Sequence, residues 1–147
     1  MRYNITKFLI LLMCLYLLVL FFNQYDTSFS LSQQVNGTNL LYYTEISASE
    51  NAICCGNLFI NTKIENDAKV IGESIEIESE KLESVLKNLK FKFKAKEYIE
   101  ANNLYVLYGF SDKIPNITHY GNYLTNLQIA VYENYCIIGW PMILGSF

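Results

Sequence analysis

After Arg2 the chain contains no arginine. Arginine is the usual residue for bidentate recognition of phosphate or carboxylate, so its absence argues against nucleotide and nucleic-acid sites. Histidine is present once, as His119. A general base needs a partner and a pocket, and three thiols outside the apolar N-terminal run, Cys54, Cys55 and Cys136, without convergent histidines give no zinc pattern. Only two prolines and seven glycines interrupt 147 residues, and charged side chains make up 17%. Low hydrophobicity and high net charge are the marks of disorder, and neither is found here. No cofactor-binding motif is present.

What is there is apolar and aromatic. Hydrophobic residues make up 52% of the chain, with twelve Tyr and nine Phe, enough to bury the core of one modest domain. The charge is uneven. Arg2 and Lys7 precede an uninterrupted apolar run from Phe8 to Phe22, "FLILLMCLYLLVLFF". From Asn23 on, nine Lys face fourteen Asp and Glu, a net charge of −5. Two basic residues before such a run are the n- and h-regions of a secretory signal. Extended to Ile5, with Lys7 snorkelling, the run approaches the roughly 17-residue lower bound of a spanning helix. Residues 1–22 are therefore expected to form a signal anchor, or a signal peptide if cleaved, with "SFS" at 28–30 a mediocre cleavage site. Basic residues on the N-terminal side put the N-terminus inside and the body outside the cytoplasm. Residues 23–39, "NQYDTSFSLSQQVNGTN", are polar and aperiodic, the composition of a linker. The body is expected over 40–147.

The periodicities of the body alternate between strand and helix. "LLYYTEIS" (40–47) predicts a strand, and "ICCGNLFINTKI" (53–64) another with a bulge at Gly56. In "KVIGESIEIE" from Lys69, Ile71, Glu73, Ile75 and Ile77 alternate with Gly72, Ser74, Glu76 and Glu78, the pattern of a half-buried strand. Leu82, Val85, Leu86 and Leu89 fall at helical spacing in "SEKLESVLKNL", with Ser79 as N-cap and acids early, lysines late. "KFKFKAKEYI" and "LYVLYGF" (104–110) predict a hairpin joined by "EANN", the second strand central because it is apolar on both faces. "SDKIPNITHYGNY" reads as a long loop. "NLQIAVY" and "YCIIGWPMI" read as a hairpin around Glu133-Asn134. The apolar C-terminal stretch after Asn134 is too short to span a membrane, so it is expected as a closing core strand restricted by Pro141 to an edge or bulge. The fold class is α+β: an antiparallel sheet with one main amphipathic helix packed on one face.

Four segments in order, "GESIEI" (72–77), "YGFS" (108–111), "NLQIAV" (126–131) and "IIGWPMILGSF" (137–147), resemble the C-terminal part of YwmB-type proteins, small secreted or membrane-anchored proteins of spore-forming bacteria with a TATA-box-binding-like fold. The resemblance spans residues 70–147. It implies an α/β sandwich outside the cytoplasm, with a role related to sporulation, and brings no catalytic residue with it. DNA binding does not follow from the fold label, because an exported, acidic domain without arginine has neither access nor charge for it.

Several chemistries can be set aside on their residues. "SVLK" (Ser84 to Lys87) matches the S-x-x-K of penicillin-recognising enzymes, yet it sits in an ordinary amphipathic helix and K-T-G is absent. Ser74 in "GESIE" lacks the second glycine and the sharp turn of a nucleophile elbow. Glu73, Glu76, Glu78, Glu80 and Glu83 form an acidic cluster that alternation and capping already explain, although paired carboxylates would serve a small envelope-associated hydrolase. Cys54 and Cys55 point to opposite strand faces, so one of them at most could meet Cys136. The remaining feature is a lysine row, Lys90, Lys92, Lys94 and Lys96, expected on one side of one strand. Such a row guards an edge or contacts an anionic surface, whether envelope polymer or lipid head groups. The expected function is thus non-enzymatic: an extracytoplasmic binding module held at the membrane through residues 5–22, with no nucleic-acid partner, and the carboxylate hydrolase as the alternative.

Overall fold

The computed structural model describes Met13, residues 29–115 and residues 117–144. The expected anchor or signal helix lies outside the described residues, apart from Met13. Among the described residues no helix is long and apolar enough to cross a membrane. The elements, in chain order, are α1 (Leu31–Gln34), β1 (Thr38–Thr44), β2 (Ile53–Cys55), β3 (Leu58–Asn61), β4 (Val70–Glu78) and a 3-10 turn (Ser79–Lys81) leading into α2 (Leu82–Asn88). Then follow β5 (Lys92–Ile99), β6 (Leu104–Phe110), β7 (Thr118–Tyr120), β8 (Tyr123–Thr125), β9 (Leu127–Val131) and β10 (Tyr135–Trp140). Eight strands make one antiparallel sheet in the order β2-β3-β1-β4-β10-β9-β6-β5, and β7-β8 form a separate hairpin. The protein is mainly antiparallel sheet with one short main helix, the α+β class its periodicities predict.

Alternation in β4 sets the two faces. Ile75 and Ile77 point to the side covered by α1 and α2, and Gly72 and Ser74 to the other. The helix-side core joins Ile75 and Ile77 to Leu127 and Ile129 of β9 and to Cys136, Ile138 and Trp140 of β10, under Val85, Leu89, Leu31 and Val35. Side chains of this size contribute about 1.5–3 kcal/mol each on full burial. The opposite face is thinner: Leu104, Val106 and Ala130, with Tyr108, Ile137 and Ile143 packed around them. It is covered by the β7-β8 hairpin and the C-terminal tail.

The structure departs from the periodicities in five places. Residues Phe29 to Asn39, within the stretch expected as a linker, are built into the domain: Leu31 is 0% and Val35 3% exposed. Two apolar residues at i and i+4 in a polar stretch suffice to seat one helical turn on the sheet. Residues 53–61 form a hairpin and not a single bulged strand, because Gly56 takes φ +63° at the first position of a two-residue turn. Ser79 does not cap the helix; it lies in the 3-10 turn, its N–H donating to Asn134 O and its hydroxyl to Glu133 O. The expected loop 111–123 holds the β7-β8 hairpin, turned at Gly121-Asn122. Finally, β10 is central, between β4 and β9, because the strand stops at Trp140. Pro141 follows a cis bond just outside the sheet, so the restriction on proline within a strand never applies. The tail crosses the thinner face, held by Ile143 N–H to Gln128 Oε1 (2.8 Å) and Leu144 N–H to Tyr43 Oη (3.1 Å).

Candidate functional site

The lysine row does not survive folding as a row. A bulge separates the pairs Phe93↔Gly109 and Ala95↔Tyr108 in β5. Lys92 therefore pairs with Phe110 and Lys96 with Leu107, positions of β6 that differ by an odd number and face opposite sides. Lys92 Nζ lies 2.6 Å from Asp112 Oδ2, while Lys96 Nζ sits 3.6 Å from the Tyr105 ring centroid. Lys90 precedes the strand with φ +52°. All four lysines are exposed, Lys92, Lys94 and Lys96 on an edge strand and Lys90 just before it, but they are not brought together on one face.

What the fold does assemble is a cleft on the thin face. Glu97 of β5 and Tyr108 of β6 lie on the same side as diagonal neighbours, Glu97 opposite Val106 and Tyr108 opposite Ala95. The hairpin folds back over them, and Tyr120 stacks on Tyr108 with ring centroids 3.7 Å apart and planes at 11°. Both phenols donate to Glu97 Oε2, at 2.9 and 3.2 Å. Partial burial, and then this carboxylate, push the Tyr108 phenol up to about 12 and raise Tyr120 in the same direction. Beside the stacked pair lies an opening of about 240 Å³ between the hairpin residues Thr118 and His119, the strand residue Gln128, and the tail residues Met142 and Ile143. Its lining is more apolar and aromatic than polar, and Gln128 already accepts the Ile143 N–H.

His119, on β7 opposite Leu124, is exposed at the mouth of this cleft. Ser84 donates to Lys81 O at 2.8 Å, in the 3-10 turn that leads into its helix, and Ser74 is buried in the middle of β4. The acidic cluster is dispersed. Glu73 is 3% exposed on the helix-side face, where it accepts from the Leu31 N–H, from Trp140 Nε1–H (3.2 Å) and from Ser30 Oγ–H (3.2 Å). Glu76 and Glu78 share a shallow cleft of about 160 Å³ with Lys81 and Tyr135. There Glu76 accepts from Asn39 Nδ2–H at 2.9 Å, and Glu78 pairs with Lys81 at 3.1 Å with its side chain 70% exposed. That exposure leaves the Glu78 carboxylate hydrated, unlike the desolvated acid of a glycosidase.

Cys54 and Cys55 on β2 lie four strand steps from Cys136 on β10, about 19 Å at sheet spacing, against the roughly 5.5–6 Å a disulfide spans. All three are free thiols, and burial raises the Cys136 thiol above its ordinary range. Among the described residues no three His, Cys, Asp or Glu side chains converge on a metal position. The cleft itself was not legible in the sequence, since it depends on a hairpin whose only local signal was Gly121-Asn122. No family model, no curated protein and no solved structure matches the chain.

Proposed function

We propose that this protein is an extracytoplasmic domain, held at the membrane through residues 5–22 or released if that segment is cleaved, that works by binding a ligand in the envelope. The positive residues Arg2 and Lys7 before the apolar run support the location. The resemblance to YwmB-type proteins supports the same location and a sporulation-related setting. The observation that carries the binding reading is the cleft beside Tyr108 and Tyr120. It is aromatic and apolar, and its phenols and amide are already hydrogen-bonded within the protein. Groups saturated in this way shape and floor a pocket; they are not aimed at a reacting atom.

At about 240 Å³ the cleft is at the small end of ligand sites and suits one ring or one large apolar side chain of a partner. The test is a fragment screen by NMR on the full chain in detergent micelles, with methyl-labelled methionine. Small aromatic fragments should shift the Met142 methyl resonance and lose that effect in Tyr120→Ala. Fragments that bind only elsewhere, or an unchanged response in Tyr120→Ala, would sink the proposal.

A further inference from the structure

The antiparallel sheet has two ends, and its charges sort between them. One end carries the close of β4, the β5-β6 connection and the β9-β10 turn. Their acidic residues are Glu78, Glu80, Glu100 and Glu133, with Lys81 as the basic residue on these turns. The other end holds the close of α2, the start of β5 and the loop after β6, which form one corner. The Lys113 Nζ–H to Asn88 O bond (2.6 Å) and the Lys92–Asp112 pair tie that corner together. It carries Lys87, Lys90, Lys92 and Lys113 against the single acid Asp112. Ile117, 58% exposed, reaches the same end: it precedes Thr118, which pairs with Thr125, and the next residue, Asn126, bonds Ser111 and Ile114 on either side of Lys113. Further along the same end, the loops flanking β1 and β3 are mixed, with Glu45, Glu50, Glu65 and Asp67 beside Lys63 and Lys69. The basic patch is thus a corner and not the whole end.

The chain enters the domain at this end. From Gly37, against Ile75 and Glu76, the path back through α1 reaches Glu73 at Leu31 and then Trp140 at Phe29, with ring centroids 5.3 Å apart. Seven peptide steps separate Phe22 from Phe29, a reach of at most about 25 Å. A body tethered so closely keeps whichever surface surrounds Phe29 near whatever holds residues 5–22.

We infer that the corner formed by Lys87, Lys90, Lys92, Lys113 and Ile117 rests on the anionic lipid surface of the membrane that anchors the chain. This rests on the membrane-attached reading above. Each lysine at an anionic surface strengthens attraction roughly fivefold, and Ile117 is placed to enter the interface while the acidic turns point away. The lipid source is favoured over soluble polymer by the short tether alone, since it limits how far this end of the sheet can lie from the bilayer.

The test uses the full chain with Cys14, Cys54 and Cys55 changed to Ser, reconstituted in vesicles of phosphatidylcholine with or without phosphatidylglycerol. A fluorophore on Ile117→Cys, or on Glu133→Cys at the opposite end, is quenched by head-group nitroxide lipid. Flotation with both vesicle types is read first; a chain that floats with neither overturns the anchor reading and this inference together. In a floating chain, quenching should be strong at 117 and weak at 133 in phosphatidylglycerol vesicles, and weak at both in phosphatidylcholine. The combined change Lys87→Gln, Lys90→Gln, Lys92→Gln and Lys113→Gln should abolish it, while Lys63→Gln, Lys69→Gln, Lys94→Gln and Lys96→Gln together should not, with Trp140 emission confirming that both sets fold. Equal quenching at 117 and 133, or equal loss from the two lysine sets, overturns the inference and leaves the anchor standing. Quenching at 117 removed by added soluble anionic polymer would instead assign the corner to that polymer.

Discussion

At the residue scale the most consequential side chain is Glu73, a carboxylate inside the main core. Its partners come from two distant parts of the chain, Ser30 and Leu31 on one side and Trp140 on the other. Removing it strands a buried backbone N–H and a buried indole N–H, and each unsatisfied donor costs about 1–3 kcal/mol. Glu73→Ala should therefore destabilise the domain by about 2–5 kcal/mol in chemical denaturation, and Glu73→Gln, which keeps a carbonyl acceptor, by clearly less. Equal losses for the two would mean that the carboxylate is a packing group only. A second residue-scale prediction concerns Tyr108, whose phenol is pushed up to about 12 by burial and by Glu97. The unfolded chain releases this proton near pH 10, whereas the folded protein holds it to about pH 12. Over that window the unfolded state binds fewer protons, so stability is full below pH 10 and falls as pH rises through it. Difference titration of tyrosinate absorbance against Tyr108→Phe should show one late-ionising phenol, and Glu97→Gln should bring it to lower pH.

At the scale of elements, what could be read beforehand was whatever shows a period. The α2 stripe, the β4 alternation, the apolar β6 and the β9-β10 hairpin all carry their faces in their spacing, and all form. What could not be read depends on single residues acting against a period. The bulge in β5 is invisible because lysine alternates with Phe and Ala on both sides of it, so no sequence position marks where the register slips. Asn61 and Asn126, both 0% exposed, organise whole loops: Asn61 Oδ1 accepts from Ala48 N–H, and Asn126 bonds Ser111 and Ile114. In a chain rich in asparagine nothing distinguishes these two from the exposed ones. The path of the tail is set in the same way, by Gly139. A Cβ there would fall 2.6 Å from Ile143 Cγ1 and 2.9 Å from Met142 O, so the tail lies down only because that side chain is missing. Gly139→Ala should cost about 1–3 kcal/mol through overpacking. Shortening the opposing side chain as well, in Gly139→Ala with Ile143→Ala, should cost less than the two single changes added together. Strict additivity in the melting curves would show that the tail does not pack on Gly139.

At the scale of the molecule the domain begins earlier than its composition suggests. A polar, aperiodic stretch before a β-rich body looks like a spacer, and spacers can be cut without loss. Here the cut matters. Leu31 and Val35 fill the helix-side core at 0% and 3% exposure, Phe29 packs edge-on against Trp140, and Glu73 is satisfied by the same segment. Burial of two such side chains supplies about 3–6 kcal/mol, and leaving Glu73 without its Ser30 and Leu31 partners adds to the loss. Domains of this size have about 5–15 kcal/mol in total. A chain starting at residue 29 should therefore unfold cooperatively and reversibly, because every described contact is kept. A chain starting at residue 36 should lose most or all of that stability and show the dye binding of an exposed core. If both truncations melt at the same temperature, the first helical turn lies on the sheet without holding it, and residues 29–35 are dispensable to the domain after all.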